Sequence, residues 1–359
     1  MKREVLLDIV QKGITAPSAD NLQPWRFRIR EKGIDLYLDE GRVKNFCDVD
    51  YLTPYISAGA VIENMRLAAS HHGFGMTSVY FPETRNPLFA AALAFSSRTP
   101  ETHPHYDAIH LRLTNRKFYK PWRKANPSLF SNLESFVSTE RGFRLLWVER
   151  QRDIFRKLSF LVGEGDQMRF ENQRLHREFF ETIRFTKRLA TQTQDGLDIR
   201  TLEAGPFASF LFRIMVSWNR VKALNLLGLS SLFRIYARMQ MRSSLAAGLL
   251  VGPGQESHHC VKGGEVMERL WHEITCQGLS LQPMEAIPIF IMNLQRNGGR
   301  DFSPKQLETL ERIKREFFEI FGIDDQKSLI LFFRVGYANR VRVRSVRRPV
   351  ESFLFEQEE

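Results

Sequence analysis

Apolar residues recur at helical spacing in several parts of the chain. Val5, Leu6, Ile9 and Val10 predict an amphipathic helix over 2–13 that ends at Gly13. A longer apolar stretch that contains the small residues 58–60 predicts a helix that ends near Gly73. The predicted helices cover 2–13, 53–75, one or two segments of 151–191, 263–280 and 303–322.

Shorter apolar runs between these helices predict strands. Residues 27–39 alternate between apolar and polar on either side of Lys32-Gly33, which is typical of a hairpin. The other predicted strands are 77–83, the end of 85–98, 143–149, 287–294 and 329–337. Helices and strands alternate along the chain, so the fold class is α+β or α/β.

Two of the predicted helices share one pattern. Residues 53–75 and 263–280 both contain a glycine preceded by a small residue, followed by apolar positions and a glutamate at the same spacing, and both lead towards a strand. This repeat predicts two related halves, of the kind produced when a dimer is fused into one chain.

Composition adds limits on function. The chain has 359 residues, of which 43% are apolar, and a formal charge of +11 that is spread along the sequence. This charge favours anionic ligands and says nothing about fold. Cys47, Cys260 and Cys276 lie far apart, which argues against a disulfide scaffold and fits a reducing compartment.

The N-terminal stretch and the apolar runs of the sequence indicate whether to expect a signal peptide or a membrane-spanning segment. The N-terminal apolar stretch carries charges, unlike a signal peptide. No uncharged apolar run is long enough to span a bilayer. We therefore expect a cytoplasmic protein without an integral membrane segment.

The segment 207–239 is apolar but interrupted by Arg213, Arg220, Lys222 and Arg234. Three interpretations stay open for it. Its apolar face packs on the core with the cations in solvent, or it forms a lid over a ligand pocket, or it lies on a membrane surface.

Other clusters give weaker indications of chemistry. The chain has two groups of histidines, and neither group has a recognised metal-binding spacing. Both groups are explained as histidines in loops. The turn at 252–254 lacks the Lys-Ser/Thr of a phosphate loop. The two histidine groups are His103, His105 and His110, and His258, His259 and His272 beside Cys260.

Five segments together resemble the FMN-dependent nitroreductase family. APSADNLQPW (16–25) is similar to the family's flavin loop, and the helix 53–75 is similar to the long helix that follows it. RLTNRKF (112–118) resembles a basic motif that is normally N-terminal. GLSLQPMEAIP (278–288) resembles the stretch facing the flavin ring, and 333–351 resembles the family's terminal strand with its basic end.

The central position of RLTNRKF departs from the usual order. With the length and the helix repeat, it is similar to the single-chain, two-half branch called Acg-like nitroreductases. The resemblance implies a three-layer α/β/α arrangement of the α+β class, with mainly antiparallel central sheets in a pseudo-dimer. The halves would be 1–107 and 108–359, with a helical lid-like insertion over about 192–252.

The resemblance implies a site for FMN. Arg112, Thr114 and Arg116 match the motif that meets the phosphate and ring edge, and Arg344, Arg347 and Arg348 add a second cationic cluster, because phosphate favours guanidinium groups. Ser18, Asn21 and Gln23 match loop positions that contact flavin. Backbone amides of the segment Gln282, Pro283 and Met284 match those near the reactive N5. Asp20 departs from the family, where this position is often small.

Each of these assignments has a structural alternative. The loop 16–25 is also a typical Asx-type turn, residues 278–284 suit a strand entry after a helix end, and the 340–357 tail is also typical of a solvated basic segment.

Three functions follow. The first is an FMN-dependent oxidoreductase that uses NADH or NADPH on a small electron-poor substrate, with the flavin rather than a side chain carrying the chemistry. It would reduce a nitro, quinone or enone-like acceptor, or run in reverse as a dehydrogenase. The second is a protein that binds FMN under a lid without turnover. The third, a nucleic-acid binder, lacks any recognised motif or continuous basic stripe. A fused pseudo-dimer could be a monomer or a homodimer.

Overall fold

The computed structural model describes residues 1–43, 49–203 and 205–355, so Cys47 and the last residues of the predicted basic tail lie outside the described residues. Its helices are α1 (Arg3–Gly13), α2 (Glu40–Val43), α3 (Leu52–His71), α4 (Pro104–Leu111), α5 (Leu129–Ser138), α6 (Asp153–Glu171), α7 (Gln173–Thr182), α8 (Lys187–Thr193), α9 (Gly205–Ile214), α10 (Trp218–Leu226), α11 (Leu229–Arg242), α12 (Ser257–Cys276), α13 (Ala286–Asn297) and α14 (Pro304–Phe321). Its strands are β1 (Trp25–Arg30), β2 (Gly33–Leu38), β3 (Phe74–Tyr80), β4 (Phe89–Ser97), β5 (Arg144–Glu149), β6 (Ile183–Arg184), β7 (Leu197–Asp198), β8 (Ala246–Gly252), β9 (Ser280–Pro283) and β10 (Ser328–Gly336).

Two four-stranded antiparallel sheets organise the chain. The first has the order β1-β2-β4-β3 and the second the order β5-β8-β10-β9. The strands β6 and β7 form a small parallel pair. Antiparallel sheets flanked by helices are typical of the α+β class, one of the two predicted classes.

The helices α3 and α12 pack against each other at two glycines. A Cβ atom on Gly59 would lie 1.9 Å from the carbonyl oxygen of Val261, and one on Gly264 would lie 1.9 Å from that of Ile56. The backbones therefore approach more closely than any side chain would allow. These glycines occupy equivalent places in the repeated helix pattern, so the two helices that share the pattern pack against each other at the same position of each.

Two segments cross between the sheets. Thr114 forms a parallel bridge with Leu281 at the β9 edge of the second sheet, and Leu354 forms one with Phe27 of β1 in the first sheet. The end of the chain is anchored there by Phe353, which is fully buried against Trp25 and Phe27. Each sheet is thus extended by a segment from a distant part of the sequence.

Most predicted elements are confirmed, including α1, α3, the hairpin β1–β2, β5, β10 and α14. The prediction of a strand over 287–294 is wrong, because these residues belong to α13. Pro288 lies in the first turn of that helix, where its missing N–H costs no helical hydrogen bond.

The predicted helical segment 192–252 also needs correction at its end. The helices stop at Arg242, and β8 is an inner strand whose every residue is buried. A short, continuously apolar strand buried on both faces has no alternation, so its periodicity does not separate it from a helix.

The helices α9, α10 and α11 are called the α9–α11 layer below. They pack outside α6 and α7 around an aromatic cluster in which Phe170 stacks on Phe233 with ring centroids 3.8 Å apart, and Phe212 lies 6.0 Å from Phe233. Among the described residues, no helix is long and apolar enough to cross a membrane.

Candidate functional site

A cavity of about 550 Å³ lies where the loop after α1, the start of α3, the β9–α13 connection and the helices α6, α7, α9 and α11 meet. This volume is in the range of small-molecule sites. Most of its wall is aromatic or aliphatic, with polar and charged side chains among them. Such a wall suits a flat, mostly apolar ligand with polar edges.

The loop that follows α1 has unusual backbone conformations. Asp20, Asn21 and Gln23 have φ angles of 46°, 57° and 55°. This left-handed region is unfavourable for residues other than glycine, although Asn and Asp tolerate it best. Three such residues within four positions persist only if the surroundings hold them, and strained backbone of this kind clusters at functional sites.

Side-chain amides hold this loop in place. Asn21 Nδ2 donates to the carbonyl oxygens of Gly196 and Val346, each at 3.0 Å. Gln23 Nε2 donates to the carbonyl of Gln194 at 2.8 Å, and Gln23 Oε1 accepts from the N–H of Arg348 at 3.0 Å. The two amides therefore join the loop to the segment before α9 and to the C-terminal tail.

The predicted loop residues thus separate into two groups. Asn21 and Gln23 are buried in protein contacts and do not line the cavity, whereas Ser18 does. The hydroxyl of Ser18 also accepts from the N–H of Gln23 at 3.0 Å, which closes the turn. Asp20, noted above as a departure from the family, also lies on the cavity wall.

The predicted residues of the basic motif after α4 also fall into two groups, those that line the cavity and one that does not. Thr114 and Arg116 line the cavity, and Arg116 Nη1 donates to the carbonyl of Thr201 at 3.1 Å. Arg112 is buried behind the wall. Its Nε lies 2.9 Å from Glu268 Oε1, its Nη2 donates to the carbonyl of Thr15 at 2.8 Å, and its guanidinium covers Trp271.

The arginines of the tail bind protein groups. Arg347 donates to the carbonyls of Ile14, Thr15 and Ala16 and to Asn21 Oδ1. Burial lowers its pKa to about 9.

The two neighbouring tail arginines are also engaged. Arg348 lies over Phe353 and donates to the carbonyl of Gln23 at 3.4 Å, and burial lowers its pKa to about 10. Arg344 donates to the carbonyls of His110 and Leu111. The structure therefore does not bring the tail arginines to the cavity wall.

The segment Gln282, Pro283 and Met284 lines the cavity. Its backbone is largely committed to the second sheet, because the N–H of Met284 donates to Phe332 at 2.7 Å and Pro283 has no N–H. Gln282 Oε1 accepts from Arg334 Nε at 2.8 Å. A polar contact from this segment to a ligand would fall to Gln282.

Several charged residues on the wall were not predicted from sequence. These are Asp166 and Arg169 of α6 and Glu178 of α7. Burial raises the pKa values of Asp20 and Asp166, and the Arg169 guanidinium opposes both shifts. The i, i+3 spacing of Asp166 and Arg169 was visible in the sequence, but it is equally common on solvated helices.

Glu285 is a further missed residue on the wall. Its Oε1 accepts from the N–H of Phe332 at 2.9 Å, and burial raises its pKa to about 8. The carboxyl group is therefore mostly protonated at neutral pH.

Helices α9 and α11 of the α9–α11 layer form part of the cavity wall. Leu211 and Phe212 of α9 and Leu229, Phe233 and Tyr236 of α11 line the cavity. Among the described residues, no group of three or more His, Cys, Asp or Glu side chains is arranged to hold a metal ion. The wall offers aromatic surface, hydroxyl and amide groups, and two guanidinium groups.

The chemistry of this wall fits part of FMN. The isoalloxazine ring would find aromatic and aliphatic side chains with polar groups from Ser18, Thr114 and Gln282 at its edges. A phosphate would find Arg116 and Arg169. Arg112, Arg344, Arg347 and Arg348 already satisfy carbonyl or carboxylate groups, so they would reach a phosphate only after rearrangement.

Comparison with known proteins gives two related sequences, and no protein-family model matches the chain. The chain is 25% identical over 342 residues to an uncharacterized protein of Mycobacterium tuberculosis (strain CDC 1551 / Oshkosh), a match that covers 95% of the chain. It is 34% identical over 116 residues, or 32% of the chain, to a protein named "Putative NAD(P)H nitroreductase acg" in two strains of Mycobacterium tuberculosis.

The chain spans about half the length of the first relative, since the match covers 47% of that protein, and it covers 35% of the second. The similarity indicates a nitroreductase-like relationship over about a third of the chain.

Proposed function

We propose that the chain is an FMN-binding oxidoreductase of nitroreductase type. It would take hydride equivalents from NADH or NADPH and reduce an electron-poor small molecule such as a nitro, quinone or enone-like compound, or run in reverse on a biosynthetic intermediate. The observation that carries the proposal is that Ser18, Thr114, Arg116 and Gln282–Met284, all predicted from the sequence, line the same cavity. The partial similarity to a nitroreductase supports the same reaction class.

The same proposal includes the division of the chain. The halves 1–107 and 108–359 would form a pseudo-dimer that supplies both walls of the flavin site from one chain. The contact of α3 with α12 at Gly59 and Gly264 supports this division.

Bound FMN supplies the hydride chemistry, and the protein positions it and shields it. Arg116 and Arg169, which line the cavity, would balance the negative charge of the phosphate. Ser18 and Gln282 offer hydrogen bonds to the ring edge. The aromatic side chains of α7, α9 and α11 exclude water from the ring face.

A specific observation also favours the second candidate, a protein that binds FMN without turnover. Helices α9 and α11 line the cavity, so a bound flavin would be covered where they lie. A cover that does not open would exclude both the reductant and the acceptor.

One spectroscopic experiment separates these functions. The purified protein is reconstituted with FMN, and its visible spectrum is recorded before and after anaerobic addition of NADH or NADPH. Bleached flavin bands support the oxidoreductase, and bands that persist support the capped flavin. Absence of FMN binding contradicts both functions.

The site assignment is tested with Arg116→Ala, because Arg116 lines the cavity and its side chain makes one backbone contact. We expect FMN affinity to fall at least tenfold, as for loss of a charge-assisted contact. Arg315→Ala on the exposed side of α14 is the matched control. Equal FMN affinity in the two variants contradicts the assignment.

A further inference from the structure

The outer surface of the α9–α11 layer exposes an unusual amount of apolar side chain. Eight of the sixteen large apolar side chains that are exposed among the described residues lie in α9–α11 and their connections. Seven of them are Phe207, Phe210, Val216, Leu226, Leu227, Ile235 and Met239, and the eighth, Leu232, also lines the cavity. Leu226, the last residue of α10, and Leu227, which follows it, are 87% and 86% exposed. A concentration of this kind marks a surface that meets another apolar phase or partner.

The charge of the same segment has one sign. Residues 204–255 contain no Asp or Glu, although the chain has 41 of them. The layer carries six cations, Arg213, Arg220, Lys222, Arg234, Arg238 and Arg242. None of them forms an ion pair with a carboxylate in the part of the chain that the structure describes. Arg213, Arg220, Lys222 and Arg242 are exposed.

Exposed apolar side chains next to cations without acids are the pattern of helices that lie in the surface of an anionic bilayer. The apolar side chains enter the boundary between headgroups and acyl chains, and each Lys or Arg gains attraction from anionic lipid. The absence of a membrane-spanning helix among the described residues is consistent with this mode, because such a surface rests on the membrane without crossing it.

A second copy of the chain fits this surface less well than an anionic bilayer does. In a two-fold dimer the same patch meets itself, so the four exposed cations of the layer, Arg213, Arg220, Lys222 and Arg242, would meet the same cations of the other copy without a carboxylate from residues 204–255 between them. Repulsion of this kind disfavours a partner of like charge.

We propose that the outer surface of the α9–α11 layer docks on anionic lipid bilayers. Two of these helices also line the cavity, α9 through Leu211 and Phe212 and α11 through Phe233. Docking therefore places the cavity one helix layer from the lipid. The inference does not rest on the proposed flavin chemistry, since neither the exposed apolar residues nor the cations require a cofactor.

Cosedimentation with vesicles tests the proposal. The full chain, with and without added FMN, is mixed with vesicles of phosphatidylcholine alone or of phosphatidylcholine with 30% phosphatidylglycerol. We expect binding to the anionic vesicles, weak binding to the neutral ones, and a decline as salt screens the surface. Equal or absent binding to both vesicle types overturns the proposal, whatever the result with FMN.

Two variants locate the contact. Leu226→Ser with Leu227→Ser removes the most exposed apolar side chains, and Arg220→Gln with Lys222→Gln removes two cations. Each is expected to weaken partitioning to anionic vesicles at least tenfold. Because these side chains are exposed, folding is expected to be unchanged, as checked by circular dichroism and Tm.

Matched controls use exposed residues outside the layer. Val79→Ser, at a position 60% exposed on β3, controls for lost apolar surface, and Lys305→Gln with Arg315→Gln on α14 controls for lost charge. Equal loss in the layer variants and these controls overturns the location. A dimer in sedimentation equilibrium that Leu226→Ser with Leu227→Ser converts to monomer overturns the lipid assignment, since a second copy then covers the surface.

Discussion

Arg347 is a buried cation whose guanidinium is held by carbonyl and amide oxygens. Its donors reach Ile14, Thr15, Ala16 and Asn21, so one side chain fixes the start of the strained loop from the far end of the sequence. The planar guanidinium matches this set of acceptors, and an ammonium group does not. Through these hydrogen bonds, Arg347 connects the C-terminal tail to the loop after α1.

Replacement of this residue tests that role. Arg347→Lys is expected to lower the free energy of unfolding by about 3 kcal/mol, because several buried carbonyls lose their donors. Urea denaturation measures the loss. Arg315→Lys on the exposed side of α14 is the control and should change little. A loss below about 0.5 kcal/mol for Arg347→Lys would show that the carbonyls find other donors.

Glu285 gives a pH-dependent prediction. Burial raises its folded pKa to about 8, above the ordinary 4.5, so between these pH values the folded state holds a proton that the unfolded state has lost. Stability from this group is present below about pH 4.5 and is lost as the pH rises towards 8. Glu285→Gln keeps an oxygen that accepts from Phe332 but cannot ionise.

The test compares the Tm of the wild-type chain and Glu285→Gln between pH 5 and pH 8.5. The Tm of the variant is expected to rise relative to that of wild type as the pH rises. Groups other than Glu285 titrate in both proteins, so their effect drops out of the difference in Tm. Glu308→Gln, on the exposed surface of α14, is the control and is expected to run parallel to wild type. A constant difference between Glu285→Gln and wild type would contradict the assignment.

At the scale of elements, the sequence predicted most helices and most strands of the two sheets, and it failed where local patterns are ambiguous. The residues of α13 are rich in β-branched and aromatic side chains, which favour strands. Only packing on the second hydrophobic core, through Ile287, Phe290 and Ile291, makes them a helix. The reverse error was made for β8. Its short, buried, continuously apolar sequence directly follows the Arg-rich helices, so it was predicted as part of the same helical segment.

The same limit applies to the cavity. Ser18, Thr114, Arg116 and 282–284 were predicted from a motif and line it. Arg169 and Glu178 were not, because a charged residue on an amphipathic helix gives no local indication of whether it faces solvent or a cavity. Only the packing of α6 and α7 around the cavity decides that.

The α3–α12 contact yields a prediction at this scale. Gly59→Ala or Gly264→Ala is expected to cost more than about 3 kcal/mol, because each new Cβ would lie 1.9 Å from a backbone oxygen of the other helix and backbone yields little. Chemical denaturation measures the cost. Gly41→Ala in α2 is the matched control, since its nearest contact is 3.5 Å away and alanine favours helix. Comparable stability of the three variants would mean that the helices separate easily.

At the scale of the whole molecule, the two sheets depend on each other through segments exchanged along the chain. The tail leaves β10 in the second sheet, passes the loop through Arg347 and Arg348, and ends at β1 of the first sheet. The α3–α12 contact joins the same two regions through the centre. Such connections predict that the chain unfolds in one cooperative transition, without one sheet unfolding before the other.

Phe353→Ala tests this dependence from the end of the chain. Phe353 is fully buried against Trp25 and Phe27, so truncation is expected to cost about 3–5 kcal/mol from lost contacts and the cavity left behind. Because the tail joins both sheets, we expect a single transition at lower denaturant, seen equally by far-ultraviolet circular dichroism and by tryptophan fluorescence. Trp122→Ala, at a site 76% exposed, removes a larger ring and is expected to cost under about 0.5 kcal/mol. Two separate transitions in Phe353→Ala would mean that the first sheet unfolds independently and that the tail, rather than the α3–α12 contact, holds the two sheets together.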